Sequence, residues 1–337
     1  MSEQKPIVSI VGLGLVGASI GLSLRKAAVA SQVVGHDKSP EASGQAKKAG
    51  AVDRTTWNLI SACEKADLVI LALPFDAVEA TLRAIGPNLR AECVVVDTTT
   101  LKAPVIRWAT EILPESVHFV GLDPILPPDP PALAATAGRS HADPRPDLFQ
   151  GGLICVVPSD RASPDAVRLA ISLVAILGAK PLFCDAQEHD GLMALADQLP
   201  PLLALALLET AIHEPTWREV RKFAGAVFET GTQPAASDPA ALGALCRANR
   251  DNLLRWLDAF SAALGSIRDA LAGDDATEVP VLTKLFEEAG RERNTWLQLR
   301  ARGEWEETAR PDMPKLNLLQ PFIGGLWERR FRKGTKS

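Results

Sequence analysis

The first half of the chain alternates short apolar runs with segments whose apolar residues recur at helical spacing. Continuous apolar runs are typical of parallel strands buried on both faces, and helices between them imply right-handed βαβ units. The pattern predicts strands at 7–11, 33–37, 68–73, 93–97, 117–120, 152–158 and 181–185. It predicts helices at 18–28, 40–49, 75–85, 103–112 and 164–177, and a long loop at 124–146. We therefore expect an α/β fold, a Rossmann-like doubly wound parallel sheet.

A different pattern begins near residue 186. Strand signals stop, and long helical periods predict helices at 188–209, 216–230, 239–264 and 281–302. Every residue of the segment Leu202–Leu208 is apolar. This exceeds what one helix face can bury and favours a subunit interface. We therefore expect an α/β domain at 1–185, an all-α helical dimerisation domain of a homodimer at 186–302, and a C-terminal extension at 303–337.

The first predicted strand runs into a Gly-x-Gly-x-x-Gly turn and then into a helix. Gly12 allows the tight turn, Gly14 lets the backbone approach a pyrophosphate, and Gly17 allows the helix to pack closely on the strand. Leu15 and Val16 complete the turn, where free N–H groups at a helix N-terminus attract phosphate. The order of strand, glycines and helix predicts a dinucleotide site. The alternative is a glycine turn without a ligand.

The second predicted strand ends in Asp37, about 20 residues beyond the last glycine. A carboxylate at this point accepts a hydrogen bond from the ribose 2′-hydroxyl and repels a 2′-phosphate. Asp37 therefore favours NAD as the cofactor, although the neighbouring Lys38 weakens that preference and leaves NADP possible.

Composition narrows the class of protein. The chain has 337 residues, enough for two domains, and a net charge of −5, which argues against nucleic-acid binding. We expect no signal peptide, because a strand begins almost at once, and no membrane partner, because the apolar runs are shorter than a membrane span. The five cysteines are widely spaced without metal-ligand spacing, which is typical of thiols in a reducing cytoplasm.

Ten segments match a known family pattern in order: 12–21, 35–37, 73–74, 97–102, 148–149, 177–179, 188–190, 199–200, 237–239 and 249–250. Together they make the chain resemble the prephenate dehydrogenases and their arogenate and cyclohexadienyl dehydrogenase relatives. The resemblance covers roughly residues 5–265 and implies a nucleotide domain, a helical dimerisation domain and an active site between them. It also implies that Leu73 and Pro74 lie along the nicotinamide and that Thr98 and Thr100 lie near its ring.

The departures from the family pattern fall at chemically important positions. Asp123 stands where the resemblance implies a catalytic histidine, and Gln198 stands where it implies another histidine. Gln233 replaces an arginine that would grip a substrate carboxylate, whereas Thr100 keeps a hydroxyl in place of serine. These four residues are our candidate catalytic and substrate-binding set. Lys102 could either reach a substrate anion or only orient its loop.

Three hypotheses remain open from the residues. The first is an NAD(P)-dependent dehydrogenase of this family that takes a hydride from a cyclic alcohol other than prephenate. Prephenate carries two carboxylates, and a pocket that loses an arginine at Gln233 and gains a carboxylate at Asp123 would bind such a dianion poorly. The second is a true prephenate or arogenate dehydrogenase of tyrosine biosynthesis with a rebuilt site, for which candidate residues are Arg139, His141, Arg247 and Arg250. The third is a non-catalytic homologue that binds a nucleotide.

Overall fold

The computed structural model describes residues 5–127, 143–236, 238–273 and 281–303. The chain divides into two compact units between Asp185 and Ala186. The first unit also takes in the described residues 296–303, and the second is Ala186–Thr295.

The first unit is built on one sheet of eight strands in the order β3-β2-β1-β4-β5-β6-β7-β8. Neighbouring strands from β3 to β6 are parallel, β7 runs antiparallel to β6, and β8 is parallel to β7. The strands are β1 (Ile7–Val11), β2 (Gln32–His36), β3 (Arg54–Thr55), β4 (Leu68–Leu71), β5 (Val94–Asp97), β6 (His118–Ile125), β7 (Leu153–Pro158) and β8 (Lys180–Phe183). The predicted α/β class is confirmed, as a mostly parallel sheet. The order of strands reverses between β1 and β4, where ligands of such sheets bind.

Helices connect the strands of this sheet. They are α1 (Leu15–Ala27), α2 (Pro40–Lys48), α3 (Leu59–Cys63), α4 (Phe75–Ile85), α5 (Ala103–Ile112) and α6 (Pro164–Ile176). Every residue of β4 and β5 is buried, as the continuous apolar runs predict for strands covered on both faces.

One strand prediction is wrong in its extent. β6 does not end at Val120 but continues to Ile125, because it pairs with the antiparallel β7 from Val120↔Pro158 to Ile125↔Leu153. Pro124 and Ile125, which the sequence places at the start of the loop at 124–146, therefore belong to this strand.

The second unit is helical throughout its described part. Its elements are α7 (Ala186–Met193), a π-helical segment (Ala194–Gln198), α8 (Leu199–Ile212), α9 (Trp217–Val220), α10 (Ala226–Thr232), a 3-10 turn (Gln233–Ala236), α11 (Pro239–Ala248) and α12 (Arg250–Ala272). The last helix, α13 (Val281–Arg302), belongs to this unit as far as Thr295. The helices predicted at 216–230 and 239–264 are each broken in two. Gly225 adopts an extended conformation before α10, and Asn249 leaves helical geometry between α11 and α12.

The segment from Ala186 to Ile212 forms a continuous helical run of 27 residues. By length and composition alone this run could cross a membrane, which the shorter apolar stretches seen in the sequence did not suggest. A single helix of this kind is weak support for a membrane span, because core and interface helices of soluble proteins share the same properties.

Candidate active site

The turn between β1 and α1 is held in a conformation that only glycine allows. Gly12 has a φ of +92°, its N–H donates to the carbonyl of His36 at 2.8 Å, and a Cβ on it would lie 2.1 Å from the carbonyl oxygen of Ala72. A Cβ on Gly17 would lie 1.9 Å from the carbonyl oxygen of Gly12. Both glycines therefore permit the close packing of α1 against the ends of β1 and β4.

Gly14 has a different environment. In the described part of the chain no heavy atom comes within 4 Å of a Cβ placed on it, and no side chain caps α1, whose first turn lacks acidic residues. The N–H groups of Leu15, Val16 and Gly17 therefore begin an uncapped helix beside an open face. This arrangement fits a pyrophosphate, which needs backbone donors and room for close approach.

Asp37 joins the glycine turn to the end of β2. Its Oδ2 accepts a hydrogen bond from the N–H of Leu13 at 2.7 Å, and its Oδ1 accepts one from the N–H of Ser39 at 2.7 Å. Each oxygen keeps a second lone-pair direction, so the half-buried carboxylate can also accept from a ribose hydroxyl. Its role toward the ribose stays a prediction.

The predicted nicotinamide-side residues follow at the ends of β4 and β5. Leu73 lies beside the glycine turn, with its Cδ2 3.2 Å from a Cβ placed on Gly12, and Pro74 is the N-cap of α4. The N–H of Thr98 donates to the carbonyl of Leu71 at 3.0 Å. Thr98 and Thr100 are half-buried.

Lys102 forms an ion pair that is completely buried. Its Nζ lies 2.7 Å from Oδ2 of Asp97, and both side chains are 0% exposed. The same ammonium donates to the carbonyl of Leu122 on β6 at 2.7 Å. Of the two roles left open by the sequence, this geometry supports the one that orients the loop. The sequence did not predict that Lys102 is buried, because a lysine in a polar segment is usually exposed.

Asp123 lies within β6 and not in a loop. It pairs with Cys155 of β7 and is 2% exposed. The register that pairs Asp97 with Gly121 places it two residues beyond the end of β5, at the carboxyl edge of the parallel strands. Burial raises the pKa of the Cys155 thiol to about 12, with smaller contributions from Cys184 and the Asp123 carboxylate. The structure therefore places Asp123 on the strand that follows the predicted cofactor residues.

In the second unit Gln198 ends the π-helical segment, a form often found at functional sites. Asn249 donates from Nδ2 to the carbonyl of Asp190 at 2.8 Å and to Oε1 of Gln198 at 3.0 Å, while its Oδ1 accepts from Asn252. These bonds fix the orientation of the Gln198 amide. Its Nε2 is buried and has no hydrogen-bond partner among the described residues.

Gln233 has a different environment from Gln198. It is exposed and caps the end of α10, in a turn that packs against α8. Of the other candidates, Arg247 and Arg250 are exposed, whereas Arg139 and His141 lie outside the described residues. Sequence reasoning missed the roles of Asn249 and Asn252, since polar residues within a helical period look like an ordinary solvated face.

Two family models match the chain in succession. The model described as prephenate dehydrogenase, nucleotide-binding domain, matches residues 20–182, and the one described as prephenate dehydrogenase, dimerization domain, matches residues 185–288. A probable prephenate dehydrogenase of Streptomyces niveus, NovF, is 30% identical over 277 residues, which cover 77% of this chain and 71% of that protein. The chain belongs to the prephenate dehydrogenase family. This is a family of NAD(P)-dependent oxidoreductases.

Other relatives in this family are similarly distant. A prephenate dehydrogenase of Bacillus subtilis is 26% identical over 82% of this chain and 73% of that protein. The crystal structure of a prephenate dehydrogenase from A. aeolicus, in complex with hydroxyphenyl propionate and NAD+, has a TM-score of 0.75 at 23% identity. That alignment covers 88% of this chain and 99% of the other, and at this identity it confirms the fold.

Proposed function

We propose that this family member is an NAD-preferring dehydrogenase that oxidises a cyclic alcohol other than prephenate. The observation that carries the proposal is the buried carboxylate of Asp123, at the carboxyl edge of β6 and next to the strands whose ends fit a dinucleotide. A divergent member of the family, in which Asp123, Gln198 and Gln233 replace two catalytic histidines and an arginine, would keep the cofactor and change the substrate.

The proposed chemistry divides between cofactor and protein. Bound NAD supplies the acceptor for the hydride that leaves the alcohol carbon. The hydroxyl proton passes to the carboxylate of Asp123, and the C–O bond becomes a carbonyl, so that charge and atoms balance. The hydroxyl of Thr100 orients the substrate oxygen by a hydrogen bond.

The proposed substrate is neutral or carries a positive charge. Gln233 offers a neutral amide in place of a guanidinium, which can hydrogen-bond an anion but not neutralise it. The Nε2 of Gln198 is a buried donor, and leaving such a group unpaired costs roughly 1–3 kcal/mol. A carbonyl or hydroxyl oxygen of the substrate would satisfy it.

A second candidate is a true prephenate or arogenate dehydrogenase of tyrosine biosynthesis. It is favoured by two relatives, a prephenate dehydrogenase at 26% identity and a probable prephenate dehydrogenase at 30% identity. In this case a group other than the replaced residues would bind the substrate carboxylates. We further propose that the protein works in the cytoplasm as a homodimer.

The test combines turnover and binding. Purified protein is mixed with NAD or NADP and with prephenate, arogenate or a panel of cyclic alcohols, and the reduced nicotinamide is followed by absorbance. We expect turnover of a cyclic alcohol, and a loss of roughly 10²–10⁴-fold in kcat in Asp123→Asn, which keeps the size of the side chain. NAD affinity measured by calorimetry should not change in this variant.

Each other outcome has a clear meaning. Turnover of prephenate that depends on Asp123 would support the second candidate. Binding of NAD without turnover of any substrate would overturn both and favour a non-catalytic homologue. Tighter binding of NADP than of NAD would contradict the role proposed for Asp37.

A further inference from the structure

Trp57 is the most exposed large apolar side chain described in the first unit. It is 88% exposed, whereas Phe183, at the other edge of the sheet on β8, is 42% exposed. Single exposed apolar residues are common, so exposure alone assigns no role. Its position and the way its backbone is held are more informative.

The backbone on both sides of Trp57 is anchored. The N–H of Thr56 donates to the carbonyl of Gly35 on β2 at 3.0 Å, and the carbonyl of Thr56 accepts from the His36 ring at 3.0 Å. The N–H of Asn58 donates to the Thr56 hydroxyl at 3.3 Å, and its side chain caps α3 through the N–H of Ser61 at 2.9 Å. These bonds hold the backbone around Trp57 in place, and the indole itself is exposed to solvent.

Trp57 lies at the edge of the sheet where the nucleotide is proposed to bind. β3 pairs with β2 in parallel, with Gly35 opposite Thr55, so both strands end at the same edge. β2 is followed there by Asp37, the residue proposed to bind a ribose, and β3 is followed by Trp57. β1, β2 and β3 lie on one side of the point where the strand order reverses. In sheets of this type, each side of that point binds one mononucleotide half of a dinucleotide.

We infer that Trp57 stacks on the adenine ring of the dinucleotide, an inference that rests on the proposed function. With the pyrophosphate at the glycine turn on β1 and the ribose at Asp37 on β2, the base continues outward toward β3. An indole face that is open to water suits this role, because stacking on a base removes apolar area of both rings from water.

The experiment separates the adenine half of the cofactor from the nicotinamide half. Calorimetry gives the Kd of NAD, ADP-ribose and nicotinamide mononucleotide for the wild type, Trp57→Ala, Trp57→Phe and the control Phe183→Ala. We expect Trp57→Ala to weaken NAD and ADP-ribose by roughly five- to hundredfold and to leave the mononucleotide unchanged. Trp57→Phe should keep most of the affinity, and Phe183→Ala all of it.

A second readout reports stacking directly. ADP-ribose should quench tryptophan emission in the wild type, and that part of the signal should be missing in Trp57→Phe. Equal affinities for ADP-ribose in the wild type and Trp57→Ala would overturn the inference while leaving the proposed function intact. A wild-type protein that binds no NAD at millimolar concentration would overturn both.

Discussion

At the scale of single residues, burial decides between roles that the sequence leaves open. Lys102 and Asp97 are fully buried, and the lysine also bonds to the carbonyl of Leu122, so one ammonium connects the start of α5 to β5 and β6. The segment that carries Thr98 and Thr100 lies between the two partners of this pair. A buried pair of this kind stabilises little compared with apolar residues, but removing one partner leaves an uncompensated charge.

We expect Lys102→Met to lower the free energy of unfolding by roughly 3–5 kcal/mol, because the Asp97 carboxylate loses its cation inside the sheet. Urea unfolding followed by circular dichroism measures the change. The control is Arg83→Ala, which breaks an exposed ion pair with Glu79 and should cost less than about 1 kcal/mol. Equal stabilities for the wild type and Lys102→Met would contradict the structural role of the lysine.

At the scale of elements, local sequence patterns predicted most of the sheet. They failed where the extent of an element depends on residues that are far away in the sequence. Strands β1, β4 and β5 were predicted from their apolar runs within two residues at each end. The extension of β6 through Asp123 was missed because it depends on β7, about 30 residues later in the chain, whose pairing no local pattern reveals. Candidate residues at the glycine turn followed from the motif, whereas the amide network around Gln198 depends on packing between helices.

The glycine turn provides a prediction that separates folding from binding. A Cβ on Gly17 meets the carbonyl oxygen of Gly12, so Gly17→Ala should destabilise the first unit strongly. A Cβ on Gly14 meets nothing described, and its φ of −69° suits alanine, so Gly14→Ala should melt like the wild type yet bind NAD more weakly. Thermal unfolding and calorimetry on both variants test this. Unchanged NAD affinity in Gly14→Ala would contradict the proposal that the pyrophosphate binds at this turn.

At the scale of the whole molecule, buried thiols make stability depend on pH. Burial raises the pKa of Cys63 from 9.0 to about 11 and that of Cys155 to about 12, and it raises the pKa of Cys93 as well. Below about pH 8, which is under the ordinary thiol pKa of about 8.5, the folded and unfolded chains hold the same thiol protons. Above it the unfolded chain releases protons that the folded chain retains, so unfolding becomes more favourable.

We therefore expect the urea midpoint to fall as the pH rises from about 8 to about 10. The chain has no tyrosine, so phenol groups do not contribute to this alkaline loss. A variant with alanine in place of Cys63, Cys93 and Cys155 should show a clearly flatter profile. A profile as steep as that of the wild type would assign the loss to other groups.

In the part of the chain that the structure describes, the helical unit exposes a large apolar surface. On α8 only Leu199 and Ala204 are buried, whereas Leu205 and Leu207 are 47% and 44% exposed. Apolar surface of this extent on a helix is usually buried against a partner, and we propose that the partner is a second copy of the chain.

We expect the protein to dissolve without detergent and light scattering at micromolar concentration to give the mass of a dimer. A protein that dissolves only in detergent would instead indicate that this helix lies in a membrane. Aspartate at both Leu205 and Leu207 should give a monomer that still binds NAD, since the proposed cofactor residues lie in the first unit. Leu182→Asp, on the exposed face of β8, is the control that should stay dimeric, and a monomeric wild type would contradict the interface.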